Sequence, residues 1–264
     1  MLTAGIDVGS STSKAVILQD DKILSYSVIP TGAESADSAQ KALDKALAKA
    51  QFIYPDDINW IIATGYGRVV VTFAKETMTE LSCHVRGANW LFPSVRTVLD
   101  MGGQDCKAIK CDGQGRLLNF TMNDKCAAGT GRFFELIAKV MDLPLGDIGK
   151  LSLETSEEVR MSSTCAVFGK SEVASLMRQG RDKSDILGGV HTAVSDRVVT
   201  LLRRVGITPE LAITGGIARN IGIVKRVEKR VGCRALIPEE PQIVGALGAA
   251  LFAHDRASRN NQGK

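Results

Sequence analysis

The chain has 264 residues and a mass of 28.2 kDa, which allows one large domain or two small, coupled lobes. Its 44% hydrophobic and 23% charged residues exclude global disorder. No stretch approaches the roughly 18 uninterrupted apolar residues of a membrane span. The 33 basic and 29 acidic residues are interspersed, and a net charge of +4 is too small to indicate a nucleic-acid partner. We therefore expect no nucleic acid and no membrane among its partners.

Six cysteines are unusual in this chain. The first residues, MLTAGIDVGS, lack the basic flank and apolar run of a secretory signal, so we expect a cytoplasmic location. A reducing compartment disfavours disulfides, so metal binding, redox chemistry or burial must account for the thiols.

Apolar runs and turn residues predict an α/β protein in which strands alternate with helices. In chain order the predicted elements are a β-hairpin within 2–29, a helix over 35–51, strands over 59–64, 96–100, 106–111 and 116–121, helices over 131–140, 165–178 and 185–204, a strand over 211–214 and a small-residue helix over 245–252. The polar tail over 255–264 is expected to fray.

The segment DVGSSTSKAVI, which starts at Asp7, is echoed 93 residues later by DMGGQDCKAIK, which starts at Asp100. Both copies combine a predicted strand end, a glycine turn and a second strand. One interpretation is chance similarity of two hairpins; the other is a duplicated lobe in which each half presents an aspartate and a glycine loop to one cleft. The identities are Asp7/Asp100, Gly9/Gly102, Lys14/Lys107 and Ala15/Ala108.

Such loops suit nucleotide phosphates, because glycine backbones approach closely and offer N–H groups while carboxylates hold Mg²⁺ through water. A third glycine element, TGGIARN, follows the predicted strand at 211–214 and could let a purine or ribose lie against the backbone. No Walker A loop and no GxGxxG fingerprint occurs.

This order of elements resembles the superfamily of acetate and sugar kinases, actin and heat-shock chaperones. The resemblance implies two ribonuclease-H-like lobes that bind ATP or ADP, with residues 1–95 in the first lobe and 96–254 in the second, and a final helix that packs back on the first lobe. It also implies roles for particular residues. Gly9, Ser10, Ser11, Thr12 and Lys14 line phosphate loop one; Gly102, Gly103 and Gln104 line phosphate loop two; Asp7 and Asp100 serve Mg²⁺; Gly215 and Gly216 bind adenosine; and Gln104 or Asp105 orients the attacking water.

Cys126 and Cys165 each follow polar, cap-forming residues and precede a predicted helix. A helix N-terminus favours the thiolate, although a small residue packed at a helix start is the plainer interpretation of either cysteine alone. Two chains with two cysteines each would supply the four ligands of a 4Fe–4S cluster; the alternative is a cluster completed within one chain. Cys106 and Cys111 are five residues apart on a predicted strand, so their side chains should point to opposite faces and cannot easily bind one metal together. Cys83 and Cys233 have no partner at metal-ligand spacing and are expected to be buried.

Six motifs carry a more specific resemblance: MNDKCAAGTGRF, SSTCAVF, TGYGR, ELSCH, GGQD and GALGAAL. Over Gly5 to about His254 the chain resembles the ATP-dependent activators of 2-hydroxyacyl-CoA dehydratases and the ATPase subunits of benzoyl-CoA reductases. The resemblance implies a homodimer, or a pseudo-dimer with a paralogue, in which Cys126 and Cys165 of each chain bind one bridging 4Fe–4S cluster. It also implies a ferredoxin or flavodoxin as electron donor and an iron–sulfur dehydratase or reductase as acceptor.

Two other function classes share the nucleotide elements. A small-molecule kinase of the same superfamily would need a substrate pocket, for which 264 residues leave little room. An ATP-binding regulator without turnover would not need Asp7, Asp100 and Gln104. Within the resembled family, the sequence does not separate a stand-alone activator from a reductase subunit.

Overall fold

The computed structural model describes residues 1–51, 53–123, 129–161 and 166–262. The predicted α/β class is confirmed: the described residues form two β-sheets with packed helices. The chain divides into two compact units. Unit 1 comprises Met1–Val95, Cys111–Leu118 and Pro238–Lys264, and unit 2 comprises Arg96–Lys110 and Asn119–Ile237.

Unit 1 contains a five-stranded sheet in the order β3-β2-β1-β4-β5. Strand β1 pairs antiparallel with β2 and parallel with β4, and β2 continues the antiparallel meander to β3. This is the arrangement of a ribonuclease-H-like sheet. The strands are β1 (Leu2–Val8), β2 (Thr12–Gln19), β3 (Lys22–Pro30), β4 (Trp60–Thr64) and β5 (Glu76–Thr77).

Helices cover both faces of this sheet, which explains the nearly continuous apolar run of β2. Alternate β2 residues point to opposite faces. Ala15 and Ile17 share a core with the apolar side of helix α1 (Ser35–Ala50), whereas Val16 and Leu18 belong to a core that includes residues of the final helix. Helix α2 (Glu80–Leu91) packs against that final helix.

The final helix, α8 (Val244–Gln262), packs within unit 1 and continues well past the predicted end at Phe252. It runs through the segment that was expected to fray, because side chains there are tied to unit 1. Arg256 pairs with Glu76 at 3.0 Å, and Asp255 accepts a hydrogen bond from Arg86 at 3.3 Å. The segment from Pro238 onward therefore lies with unit 1. The expected range of the second lobe, 96–254, included this segment and had its final helix packing back on the first lobe.

Unit 2 contains a four-stranded sheet in the order β8-β7-β6-β9, in which β6 pairs antiparallel with β7 and parallel with β9. Its core packs helix residues such as Phe134, Ile137 and Leu187 against Leu99 and Ile213 of the sheet. The strands are β6 (Thr97–Met101), β7 (Cys106–Cys111), β8 (Leu117–Asn123) and β9 (Leu211–Thr214); the helices are α3 (Gly131–Val140), α4 (Ile148–Leu151), α5 (Ala166–Arg178), α6 (Lys183–Val205) and α7 (Ile221–Val231).

No helix in the described part of the chain combines the length and apolar character needed to cross a membrane.

Candidate functional site

The first candidate element is the β1–β2 hairpin of unit 1. Asp7 and Lys14 lie directly opposite each other in the antiparallel register, and the Lys14 Nζ lies 3.1 Å from the Asp7 Oδ2. Both side chains are largely shielded from solvent. Since a buried carboxylate needs a cationic or hydrogen-bonding partner, the lysine offsets the desolvation of Asp7.

The turn of this hairpin is held by hydrogen bonds to its backbone. The Gly9 N–H donates to the Thr12 carbonyl at 3.0 Å, and the Thr31 hydroxyl donates to the Gly9 carbonyl at 2.7 Å. The Thr31 N–H donates to the Ser11 carbonyl at 3.1 Å. Ser10, at the tip, is exposed. The loop is thus fixed by its carbonyls and presents its tip to solvent, as an anion-binding loop requires.

Glycines surround the Asp7 carboxylate. Gly65 adopts a positive φ of 87°, and a Cβ there would overlap Asp7. A Cβ on Gly245 would lie 3.1 Å from both the Asp7 Oδ2 and the His84 Nε2. The absence of side chains therefore lets the backbone at Gly65 and Gly245 approach the Asp7 carboxylate closely.

Unit 2 repeats the arrangement. Asp100 and Lys107 are opposite each other across β6 and β7, as Asp7 and Lys14 are across β1 and β2. The buried Lys107 Nζ lies 3.5 Å from the Asp100 Oδ2 and 2.7 Å from the Asp105 Oδ2. Thr214, at the end of β9, donates to the Asp100 Oδ1 at 2.9 Å. The echo in the sequence thus corresponds to one hairpin geometry present in both units.

Phosphate loop two is bonded to the start of helix α3. The Gly102 N–H donates to the Asp105 carbonyl at 3.0 Å, which closes the turn. The Gly131 N–H and the Arg132 N–H then donate to the carbonyls of Gly102 and Gly103, each at 2.9 Å. The first turn of α3 is therefore attached directly to the backbone of the loop.

Within this loop the two candidates for orienting water differ in their surroundings. Gln104 is exposed, whereas the Asp105 carboxylate is engaged by Lys107. The Lys107 ammonium therefore fixes the position of the Asp105 carboxylate within the loop.

The third element follows β9. Gly215 has a φ of 82° and lies against the Met101 carbonyl, where any Cβ would overlap the oxygen. Gly216 opens a short 3-10 helix, Gly216–Arg219, and is exposed. Asn220 ends this turn and caps α7 by accepting from the Ile223 N–H at 3.2 Å. The parallel pairing of β9 with β6 brings this element beside Asp100.

The structure therefore groups the nucleotide candidates into two sets. Unit 1 holds those of phosphate loop one, and unit 2 holds those of phosphate loop two together with the adenosine candidates. Three further residues, Phe134, His191 and Asn220, adjoin the second set, although the sequence indicates no role in the site for any of them. Asn220 carried a usable signal, an asparagine directly before a helical run, but the contacts of His191 depend on tertiary packing.

The two proposed cluster ligands, Cys126 and Cys165, lie outside the described residues. Helices α3 and α5 begin shortly after them in sequence. Among the described residues no group of three or more His, Cys, Asp or Glu side chains could hold a metal ion.

The four remaining cysteines are free thiols. Burial raises the pKa of Cys83 to about 12 and raises that of Cys106 still further above its ordinary value. Burial also raises the pKa of the partly buried Cys233. Cys111 is buried and its thiol lies 3.6 Å from the Val95 carbonyl. Because metal binding requires the thiolate, these environments are those of packing residues. The expected burial is confirmed for Cys83 but is wrong for Cys233, which is only partly buried.

Comparison with known proteins agrees with this arrangement. Residues 4–253 match the BadF/BadG/BcrA/BcrD ATPase family. The solved structure of the activator of the 2-hydroxyisocaproyl-CoA dehydratase from Clostridium difficile with bound ADPNP superposes with a TM-score of 0.95 at 42% identity, covering 100% of this chain and 98% of that one. The activator of lactoyl-CoA dehydratase from Anaerotignum propionicum is 43% identical over 98% of this chain and 100% of its own.

A more distant relative is one of the subunits of benzoyl-CoA reductase from Thauera aromatica, 30% identical over 99% of this chain and 97% of its own. A ROK-family glucokinase from Streptomyces griseus shares the fold at a TM-score of 0.59 and 13% identity. The expected superfamily fold is therefore confirmed.

Proposed function

We propose that this chain, which belongs to the BadF/BadG/BcrA/BcrD ATPase family, is an ATP-hydrolysing iron–sulfur protein that activates a 2-hydroxyacyl-CoA dehydratase by passing it a low-potential electron. The observation that carries the proposal is the attachment of phosphate loop two to the first turn of α3, the helix that follows Cys126. It joins a nucleotide element to the segment that bears a cluster ligand. Identities of 42–43% with dehydratase activators over nearly the whole chain support the acceptor class.

Nucleotide binding falls to the glycine elements. The backbones of residues 9–12 and 102–104 take the phosphates, with Lys14 beside the first loop, and Gly215 and Gly216 leave room for adenosine. The carboxylates of Asp7 and Asp100 provide the oxygen ligands that Mg²⁺ prefers, and these two residues would hold the ion. When bound, Mg²⁺ would neutralise charge on the phosphates during hydrolysis.

For hydrolysis itself, Gln104 is the better candidate to orient the attacking water. Its side chain is exposed on phosphate loop two, while the carboxylate of Asp105 is held by the Lys107 ammonium at 2.7 Å. We assign Asp105 the role of fixing the loop, because its own carbonyl also closes the turn with the Gly102 N–H.

The electron-transfer centre requires two copies of the chain. Cys126 and Cys165 of each copy would supply the four thiolates of a 4Fe–4S cluster, whose chemistry when bound is one-electron transfer. The donor set fits: the other four cysteines have the burial or raised pKa of packing residues. The second copy is the same chain or a paralogue, and a cytoplasmic ferredoxin or flavodoxin serves as the electron source.

Hydrogen bonds between backbone groups would couple phosphate loop two to helix α3. A change in loop two on ATP binding or hydrolysis shifts the Gly102 and Gly103 carbonyls, and the two N–H groups that open α3 must follow them or lose their partners. Because the two hydrogen bonds join the loop directly to the first turn of the helix, the helix is expected to move with the loop.

The proposal is tested by replacing the ligand cysteines. The protein is purified without oxygen, and iron, acid-labile sulfide, ATP hydrolysis and electron delivery to a dehydratase component are measured. Cys126→Ala and Cys165→Ala should each lose the iron, the visible absorption and the electron delivery, because a cluster with missing ligands is not retained. Both variants should still hydrolyse ATP, since the nucleotide loops are intact.

Cys233→Ala is the matched control, because it removes a partly buried thiol with no proposed role and should keep the full iron content. A Cys126→Ala protein that remains fully coloured and delivers electrons would overturn the ligand assignment. A colourless wild-type protein that phosphorylates a metabolite would support a kinase instead.

A second candidate is the ATPase component of a benzoyl-CoA reductase, favoured only by the 30% identity to the Thauera aromatica reductase chain. Supplying the purified protein with a dehydratase component and, separately, with the remaining components of a reductase separates the two. We expect turnover of the 2-hydroxyacyl-CoA thioester.

A further inference from the structure

His191 lies at the centre of helix α6 and is completely buried in unit 2. Its Nδ1 lies 2.7 Å from the Leu187 carbonyl, one turn earlier. A carbonyl can only accept, so Nδ1 carries the proton. Burial also lowers the pKa of His191 to about 4, so the ring is neutral near pH 7 and its Nε2 is left as an acceptor.

The group that meets this acceptor is the side chain of Asn220. The Asn220 Nδ2 lies 3.0 Å from the His191 Nε2 and donates to it. The amide oxygen of the same side chain accepts from the Ile223 N–H and caps α7. The Asn220 N–H donates to the Ile217 carbonyl at 2.8 Å, which closes the 3-10 turn that begins at Gly216. Asn220 therefore ends the glycine element through its backbone N–H and caps α7 through its side chain.

Close packing around His191 and Asn220 restricts the orientations that their side chains can adopt. A Cβ on Gly149 would lie 2.5 Å from the Asn220 Oδ1, and a Cβ on Gly222 would lie 2.9 Å from the His191 Cδ2. On another side the His191 ring lies against Phe134 of α3, with centroids 4.8 Å apart. The imidazole is thus held in one orientation by its neighbours, with Nε2 directed at Asn220.

We propose that His191 is a positioning residue for nucleotide binding: through Asn220 it sets the conformation of the Gly215–Gly216 element. This inference rests on the proposed function, in which that element binds adenosine. His191 does not touch the nucleotide; it acts by fixing the side chain of Asn220, the residue whose backbone N–H closes the turn that ends the element. Its loss is therefore expected to weaken nucleotide binding more than it slows hydrolysis of bound ATP.

The test compares His191→Phe, which keeps an aromatic ring beside Phe134 but has no acceptor, with His191→Gln, whose amide oxygen can replace Nε2. ADP affinity is measured by calorimetry on the full chain, and KM and kcat for ATP are measured separately. We expect His191→Phe to bind ADP about tenfold more weakly and to raise KM with kcat little changed, because it leaves a buried amide donor unsatisfied. His191→Gln should recover most of the affinity.

Two further variants keep the inference open to contradiction. Val194→Ala, a truncation on the same buried side of α6, should lower thermal stability without changing ADP affinity. Asn220→Ser keeps a capping oxygen, but its shorter side chain lacks the Nδ2 group that reaches His191. It should therefore weaken ADP binding as His191→Phe does, and the double variant should be no weaker than either.

Unchanged ADP affinity in both His191→Phe and Asn220→Ser would overturn the inference, as would a Val194→Ala protein that loses affinity equally. A wild-type chain that binds no ADP would instead contradict the proposed function, so the two failures are distinguishable.

Discussion

At the scale of single residues, both units place a lysine opposite an aspartate on adjacent strands, Lys14 with Asp7 and Lys107 with Asp100. These pairs are largely or wholly buried, so each ammonium offsets the cost of burying a carboxylate. The lysines also add positive charge beside loops that are proposed to receive phosphate. Lys14 and Lys107 thus contribute both to the stability of the fold and to the positive charge at the proposed site.

The buried His191 predicts a specific acid sensitivity. Its pKa in the folded chain, about 4, lies below the roughly 6.5 of an unfolded histidine, so protonation favours unfolding. The stability it contributes is complete above about pH 6.5 and is lost as the pH falls towards 4, by up to about 3 kcal/mol. Urea unfolding of the wild type between pH 7.5 and 4.5 should show this decline.

His191→Gln, which cannot titrate in this range, should show a shallower decline over the same interval. Parallel pH profiles for the two proteins would mean that the ring is protonated as readily in the folded chain as in the unfolded one.

At the scale of elements, α8 is seated in unit 1 by contacts between backbones. A Cβ on Gly248 would overlap the Cys83 carbonyl of α2, and a Cβ on Gly5 of β1 would overlap the Ala246 carbonyl. The small residues of GALGAAL therefore allow close approach to a strand and a helix at once. This packing explains why the helix belongs to unit 1 despite its distance in sequence.

Gly248→Ala should consequently destabilise the protein, although alanine is the better helix former. The overlap with the Cys83 backbone is expected to cost about 3 kcal/mol, more than the roughly 1 kcal/mol gained in helix propensity. Gly146→Ala is the control, because a Cβ there would have no neighbour within 4 Å and should change the free energy of unfolding by less than about 0.5 kcal/mol. Equal denaturation midpoints for the two variants would contradict this packing.

An element can be predicted from the sequence when the residues that define it lie close together in the chain. The glycine hairpins with Asp7 and Asp100 were predictable, because strand, turn and opposing lysine lie within eight residues of one another. Helices α2 and α7 were missed, although Thr79 caps the first and Asn220 the second. Their apolar positions become interpretable only once their packing partners are known.

The candidate site likewise combines features set by neighbouring residues with features set by tertiary packing. The loops that hold Gly9, Gly102 and Gly215 follow from local sequence. The contact of His191 with Asn220 spans 29 residues and that with Phe134 spans 57, so neither could be predicted without the packing of α3, α6 and α7.

At the scale of the whole molecule, the chain leaves unit 1, builds most of unit 2 and returns to complete unit 1 with α8. Each unit has its own sheet and its own Asp–Lys hairpin. The proposal assigns two of the six cysteines of each chain as cluster ligands, and this number predicts the stoichiometry of the assembly.

We expect about two irons and two sulfides per chain and a dimer in solution, because four thiolates hold one 4Fe–4S cluster. Iron and sulfide analysis combined with sedimentation of the anaerobic protein checks this. Four irons per chain in a monomer would show that each chain completes a cluster by itself.

The anchoring of α3 to phosphate loop two has one more consequence. A peptide group is planar, so the Gly102 carbonyl and the Gly103 N–H belong to one rigid plate and point in opposite directions. The carbonyl edge of that plate already accepts from the Gly131 N–H at 2.9 Å. If its amide edge donates to a phosphate oxygen, the plate becomes polarised and both hydrogen bonds strengthen together. A single peptide plane would then let the arrival of a nucleotide tighten the hold on a helix without any side chain changing its rotamer.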